Sequence, residues 1–407
     1  MLRGIGAIAL IGMYAFRMCI LPVLCAHGNF YLEPPDSIYL PYFRDAIVLM
    51  CIECTIVVFS LSLYSTRFAN RVIKYERFNY VGTNDASLHI YVVFTICLYL
   101  FIFLSNKSLL TNHYHFLLSS SDEASAFEQG HVTLQGYGSI YYLLVLLDLV
   151  AKPLISFALI NWSYSRSRRL GIFISVIVGS INILFVSDRR VLSLLIGVCC
   201  LFQALLHIKK KIIKRSLYYI IAIMAILTLV YCFWGEDTPI RIARKFQRYF
   251  SGPSLTAIGI VVYKNYVQTP VDFLKLLFND SVLLTGLFGS FESNNYVLTL
   301  CGPSGKSIWT PMFIGSIQYF HILGFIMPVF AVKFITYTDY RSMASNSNLR
   351  IMMMNYLAVS TSVYMVMYSI ELVYYNIIFI GGFYYLLMNI NNHMKYNIQF
   401  KRGVYAK

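Results

Sequence analysis

The chain has 407 residues, of which 58% are hydrophobic and only 13% charged, with a net charge of +15 and a mean hydropathy of +0.64. Soluble domains carry about 25% charged residues, so the groups that would cover a water-facing surface are missing and a soluble globular enzyme is excluded. The positive excess is not a nucleic-acid footprint either. The basic residues fall in short loops between long apolar runs, where they report topology.

Crossing the hydrocarbon takes about 20 apolar residues in a helix. On that measure ten spans are predicted, over residues 4–25, 45–65, 88–105, 139–164, 170–186, 191–207, 216–235, 308–332, 351–370 and 372–388. The expected fold is all-α, a single integral membrane domain over residues 1–407. The first run lacks an A-x-A-like exit and carries Arg17 at its middle, so it reads as a span and not as a cleaved leader. Basic residues follow every second span: Arg67, Arg71, Lys74 and Arg77; Arg166, Arg168 and Arg169; Lys209, Lys210, Lys211, Lys214 and Arg215; Lys333, Arg341 and Arg350. Lys395, Lys401, Arg402 and Lys407 lie in the tail. By the positive-inside rule these loops and both termini are cytoplasmic.

The intervening loops are then external. Residues 27–43 hold no Lys or Arg, and residues 106–138 hold only Lys107. Two external segments break the rule. One is the tight turn Ser187-Asp188-Arg189-Arg190. The other is the long loop 236–306, which opens EDTPIRIARKFQRYFSGP. Thr238 supplies an N-cap, Pro239 the first helical position, and Ser251-Gly252-Pro253 a stop. A helix over residues 239–250 gathers Arg241, Arg244, Lys245 and Arg248 on one face, with Ile240, Ile242, Phe246, Tyr249 and Phe250 largely on the other. Positive charge on the wrong side opposes insertion, so its retention points to an anion. Contact with lipid headgroups is the plainer account of the same arginines. Residues 255–267 and 272–291 are apolar but short or interrupted, and are expected as interfacial or re-entrant helices lining a cavity.

Charges also occur inside spans. Asp148 and Lys152, four apart on one helix, are expected to pair with each other. Arg17 has two readings: a pair with Glu53 between the first two spans, or a place facing a lipid-phosphate cavity. Cys19, Cys25, Cys51, Cys54, Cys97, Cys199 and Cys200 read as small packing residues, and Cys51-x-x-Cys54 has no second ligand pair to make a metal site. Cys232 and Cys301 are the two that could meet outside. Residues 302–307, GPSGKS, imitate the end of a P-loop, but Leu300 stands where its first glycine belongs and no strand precedes it. No cofactor is expected.

The layout of ten or more spans, a late large external loop opening on an arginine-rich helix, a second external arginine pair and the stretch FIGSIQYFHILGFIMP resembles the Wzy-type polymerases of O-antigen and capsule repeat units. In that family a D-F-G-x-x-G-like stretch often follows the large loop; here Tyr319-Phe320-His321-Ile322-Leu323-Gly324 stands there, with Tyr319 in place of the acid and His321 in place of the glycine. The resemblance implies a membrane glycosyltransferase of the bacterial inner membrane, independent of metal and nucleotide. An acceptor sugar hydroxyl attacks the anomeric carbon of an undecaprenyl-pyrophosphate-linked glycan, and undecaprenyl pyrophosphate leaves. Arg241, Arg244, Lys245 and Arg248, with Arg189 and Arg190 as a second clamp and Arg17 as a further candidate, suit the pyrophosphate. His321, Asp188, Glu236, Asp237 and Glu292 are candidates for the general base, and Tyr249, Tyr263, Tyr266 and Tyr296 for stacking on sugars. Implied partners are the two lipid-linked glycans, membrane lipids, a chain-length regulator and a flippase. An O-antigen ligase and a lipid-linked-oligosaccharide flippase are the rival readings.

Overall fold

The computed structural model describes residues 4–20, 40–75, 86–105, 115–116, 144, 147–186, 190–207, 252–280, 311–345, 348–367 and 369–387. They are almost wholly helical. Helix α1 (Ile5–Ala15) runs into a π-turn (Phe16–Ile20); a 3-10 turn (Leu40–Tyr42) leads into α2 (Phe43–Tyr75); α3 is Ala86–Ser105. A π-turn (Leu147–Ala151) opens α4 (Lys152–Arg166), followed by α5 (Arg168–Leu184) and α6 (Arg190–Leu206). Then come α7 (Pro253–Asn265), α8 (Pro270–Asp280), α9 (Met312–Phe320), a 3-10 segment (His321–Ile326), α10 (Met327–Met343), α11 (Asn348–Met367) and α12 (Ile370–Tyr375), which continues through a π-turn (Asn376–Ile380). One two-residue antiparallel ladder joins β1 (His115–Phe116) to β2 (Phe185–Val186), with His115 opposite Val186.

Among the described residues, three helical stretches are long and apolar enough to cross a membrane: Leu40–Phe68, Met312–Met343 and Ile370–Leu387. Shorter apolar helices cover Ile5–Met18, Val92–Ser105 and Leu192–Leu205. Ile47, Val48, Phe59 and Leu63 of α2 and Phe94, Phe101 and Leu104 of α3 are exposed, an outward apolar face that suits hydrocarbon and not water. The protein is thus an all-α membrane protein. Residues 216–235, expected as a span, lie outside the described residues.

The chain forms two compact units. The first comprises Met1–Phe78, Glu236–Ala344 and Leu357–Phe379. Residues that the charge rule assigns to one side of the membrane meet at one end of it: Lys264 Nζ sits 4.2 Å over the Tyr42 ring, and Phe273 lies 5.1 Å from Phe320. At the other end Phe68 stacks on Tyr340 at 5.6 Å, and the Asp339 carboxylate accepts the amides of Gly6 and Ala7 at 3.0 and 2.8 Å. Gly4 at the N-cap of α1 brings no side chain of its own to those amides, so α10 supplies the anion that a helix start favours. Helices α11 and α12 run antiparallel, since Asn376 donates to Ser360 and Thr361 (3.1 and 2.9 Å), residues about as far before the bend near Ser369 as Asn376 is beyond it.

Two helices of this unit are half-length. Helix α7 rises only about 20 Å and α9 about 14 Å, against a hydrocarbon core of about 30 Å. They run parallel: Gln318 donates to Gly259 O at 2.7 Å, and His321 meets Tyr263 at 6.1 Å, so both sequences climb toward the aromatic end. Of the two alternatives expected for 255–267, an interfacial or a re-entrant helix, α7 departs from the first and has the short, enclosed form of the second. Residues Pro253 to Val262 are buried all round, packed with Ala46, Phe313, Ile314 and Ile317 into one core. Gly252-Pro253, read from sequence as a stop, is also a start: Gly252 is the N-cap of α7 and Pro253 its first residue. Helix α8 is the amphipathic one. Thr269 and Asp272 form a reciprocal cap, with the Thr269 hydroxyl donating to the carboxylate at 2.7 Å and its amide at 2.9 Å. Those bonds, the hydroxyl's foremost, hold the Asp272 carboxyl below its usual range.

The second unit comprises Asn79–Gly235, Ser345–Tyr356 and Ile380–Lys407. Its centre is α5 packed between α4 and α6. Gly179 and Gly197 face each other, where an added Cβ on either would strike the other's carbonyl, so the two helix backbones touch. Ser167 caps α5 by accepting from the Leu170 amide at 3.1 Å. The expected Asp148–Lys152 pair is spread over more partners: Asp148 accepts from Tyr99 at 3.3 Å, and Lys152 Nζ donates to Ser193 at 2.9 Å.

Candidate functional site

The sequence 308–332 reads as one span, but it is folded back on itself at His321. The rings of Phe313 and Phe325 are 5.2 Å apart, whereas twelve residues of straight helix would separate them by about 18 Å. His321 has φ 50° and ψ −127°, the one positive-φ non-glycine among the described residues. Such backbone costs about 1–3 kcal/mol for a residue with a Cβ. Gly324 completes the reversal, lying so close to the backbone at Ser316 that no side chain fits. The stretch left long enough to cross is therefore His321–Met343, about 37 Å by helical rise, and Lys333 and Arg341, expected in a loop, sit within α10. His321, expected about a dozen residues deep in a span, is instead exposed at the tip of the turn.

Around that tip the first unit gathers polar and aromatic groups. The His321 ring meets the half-exposed Tyr263 edge-on at 6.1 Å. The next residue, Lys264, is exposed and sits over Tyr42. Tyr266, expected to stack on sugars, packs against the α7 core. Just beneath the turn, Tyr319 donates its hydroxyl to Glu371 Oε1 at 2.6 Å. Phe273 of α8 packs on the Tyr319 ring at 5.9 Å and lies 5.1 Å from Phe320 and 6.1 Å from Tyr374. The Tyr374 hydroxyl in turn holds Met327 O at 2.8 Å, fixing the start of α10. This assembly offers an imidazole, an ammonium, a carboxylate and aromatic faces, which is the chemistry of holding sugars and anions.

Arg17 takes the first of its two readings. Its Nη1 lies 2.9 Å from Glu53 Oε2, Tyr14 donates to Glu53 Oε1 at 2.7 Å, and the guanidinium is 1% exposed. Glu53 lies about 15 Å along α2 from its start and Arg17 about 16 Å along α1 from Gly6, so the pair sits well inside both helices, where the guanidinium answers a carboxylate. Arg241, Arg244, Lys245, Arg248, Glu236, Asp237, Glu292, Asp188, Arg189, Tyr249, Tyr296, Cys232 and Cys301 lie outside the described residues, and Arg190 is the first residue of α6. Glu371 was not among the residues singled out by sequence. The signal for it is an acid between two apolar runs, 351–370 and 372–388, in a link that the charge rule assigns to the same side as His321.

No protein-family model, no curated protein and no solved structure matches the chain.

His321 carries a stability test. His321→Gly is expected to unfold at higher temperature than His321→Ala, by about 1 kcal/mol in stability, because glycine relieves the positive φ while alanine keeps it. Thermal unfolding of the two variants in detergent measures the difference.

Proposed function

We propose that the protein is a ten-span polymerase of lipid-linked oligosaccharide repeat units, working at the outer leaflet of a bacterial inner membrane with both termini in the cytoplasm. The observation that carries this reading is the His321 turn: an exposed imidazole on strained backbone, against an exposed tyrosine, with Lys264 and Glu371 gathered at the same end of the unit. Strain of that kind collects where a side chain has work to do. The arginine-rich segment 239–250 supports it from sequence, since Arg241, Arg244, Lys245 and Arg248, with Arg189 and Arg190, are suited to a departing pyrophosphate. In this account the acceptor hydroxyl attacks the anomeric carbon of the growing glycan, the bond to pyrophosphate breaks, and undecaprenyl pyrophosphate leaves with the electron pair. His321, Asp188, Glu236 and Asp237 are the candidates drawn from sequence for the general base. A chain-length regulator and a flippase are the expected companions.

Arg241→Ala, Arg244→Ala and Arg248→Ala are each expected to leave the protein in the membrane while surface glycan shortens to a single repeat, read on gels of the extracted glycolipid. Long chains from all three overturn the arginine assignment. Deletion separates the ligase reading, because loss of a polymerase leaves one repeat on the lipid core and loss of a ligase leaves none. Lengthening of lipid-linked glycan by the purified protein alone excludes a flippase.

A further inference from the structure

We infer that Glu371 is the proton acceptor for the attacking sugar hydroxyl, a role that rests on the polymerase reading and falls to a residue outside the candidates drawn from sequence. Glu371 is 6% exposed, at the start of α12. One carboxylate oxygen is fixed by the Tyr319 hydroxyl at 2.6 Å, and the other, Oε2, is buried with no hydrogen-bond partner among the described residues. Two residues before it, Ser369 Oγ is buried in the same condition. A buried carboxylate oxygen left without a donor is costly, and a membrane-embedded acid is retained where it binds or moves something. The chemical class that satisfies both atoms is a hydroxylated ligand, which donates to the carboxylate and accepts from the serine.

The surroundings fit a sugar. Phe273 packs on the Tyr319 ring and is itself flanked by Phe320 and Tyr374, and it comes from α8, a short helix whose outer face (Val271, Leu274, Phe278) is exposed. A pyranose stacked on these rings would bring its hydroxyl to Oε2. The hydroxyl O–H bond then breaks toward Oε2 while the oxygen bonds the anomeric carbon, and the pyrophosphate departs with the electrons of its C–O bond. Tyr319 is a positioning residue: its hydroxyl ties down Oε1 and leaves Oε2 as the basic atom. His321, two residues further at the exposed tip, is then free to contact the glycan or its phosphate.

The test uses full-length protein in nanodiscs with undecaprenyl-pyrophosphate-linked repeat units extracted from cells lacking the gene. Three quantities are read per mole of folded protein: lengthening rate, affinity for the lipid-linked repeat, and melting temperature. Glu371→Gln keeps shape and loses the basic oxygen; it is expected to bind within about threefold of the parent and to lengthen at least about 100-fold more slowly, the usual scale of a general base. If that variant is not recovered folded, Glu371→Asp, which withdraws the oxygen by one methylene, is expected to bind normally and lengthen at least about tenfold more slowly. A folded, substrate-binding Glu371→Gln or Glu371→Asp with the parental rate overturns the assignment and leaves the polymerase reading standing. A parent protein that lengthens nothing overturns the polymerase reading and this inference with it.

Discussion

Glu53→Ala is expected to cost the folded protein about 3–5 kcal/mol, because it strips a buried guanidinium of its carboxylate. In the parent, Arg17 Nη1 and the Tyr14 hydroxyl both end on Glu53, at 2.9 and 2.7 Å, with Arg17 1% exposed and Glu53 equally enclosed. Removing the acid leaves a cation and a phenol enclosed well inside both helices. Arg17→Met alone is expected to cost several kcal/mol for the converse reason. Arg17→Met with Glu53→Leu replaces the pair by apolar groups of similar bulk, and stability is expected to return to within about 1 kcal/mol of the parent. Unfolding in mixed micelles measures all three. The double variant also tests whether the pair does more than join two helices. If the pair serves only to join α1 to α2, the repacked protein keeps its glycan-lengthening activity; a stable protein without activity would show that the pair has a further role.

Gly324→Ala is expected to be as damaging through a different mechanism. A Cβ there would run into the carbonyl carbon and oxygen of Ser316 and the amide of Ile317, all backbone atoms of α9 that cannot rotate aside. The 3-10 segment would have to lift from α9, at a cost of about 3 kcal/mol, the upper part of the range for overpacking. Lifting it also separates Phe313 from Phe325 and carries His321 away from Tyr263, so loss of function is expected to accompany the fall in melting temperature. Gly12→Ala is the matched control. Nothing lies within 4 Å of a Cβ at Gly12 in α1, and alanine there is expected to raise stability by up to about 1 kcal/mol.

Most of the helices were legible in the sequence because a long apolar run is an unambiguous signal. The Arg17–Glu53 pair was legible too, since two opposite charges fell at the middle of consecutive spans. Hydropathy could not see the reversal at His321. The run from Met312 onward is apolar on both sides of the turn, and a histidine gives no warning of positive φ where glycine would. Pro311, Gly324 and Pro328 were the available cues, each readable as an ordinary feature of a membrane helix. Helix α7 was left between two forms for a related reason: length alone does not separate an interfacial helix from a re-entrant one, and it is the enclosure of α7 by its neighbours in the first unit that distinguishes them. Glu371 escaped notice because the two spans around it were drawn almost end to end, which reduced the bend between α11 and α12 to a boundary. Its significance comes from a contact with Tyr319, 52 positions away, and no local pattern contains that.

Because α7 and α9 climb side by side to one end of the first unit and are each too short to traverse the bilayer, both must begin partway through it. Neither start is closed by a side chain: Gly252 and Pro311 hold the capping positions. The first amides of a helix need acceptors, and alkyl chains provide none. At α7 the chain answers this need itself: Pro253 brings no amide, and those of Leu255 and Thr256 both bond to Gly252 O, at 3.1 and 3.2 Å, so the helix can start inside an apolar core with few donors left over.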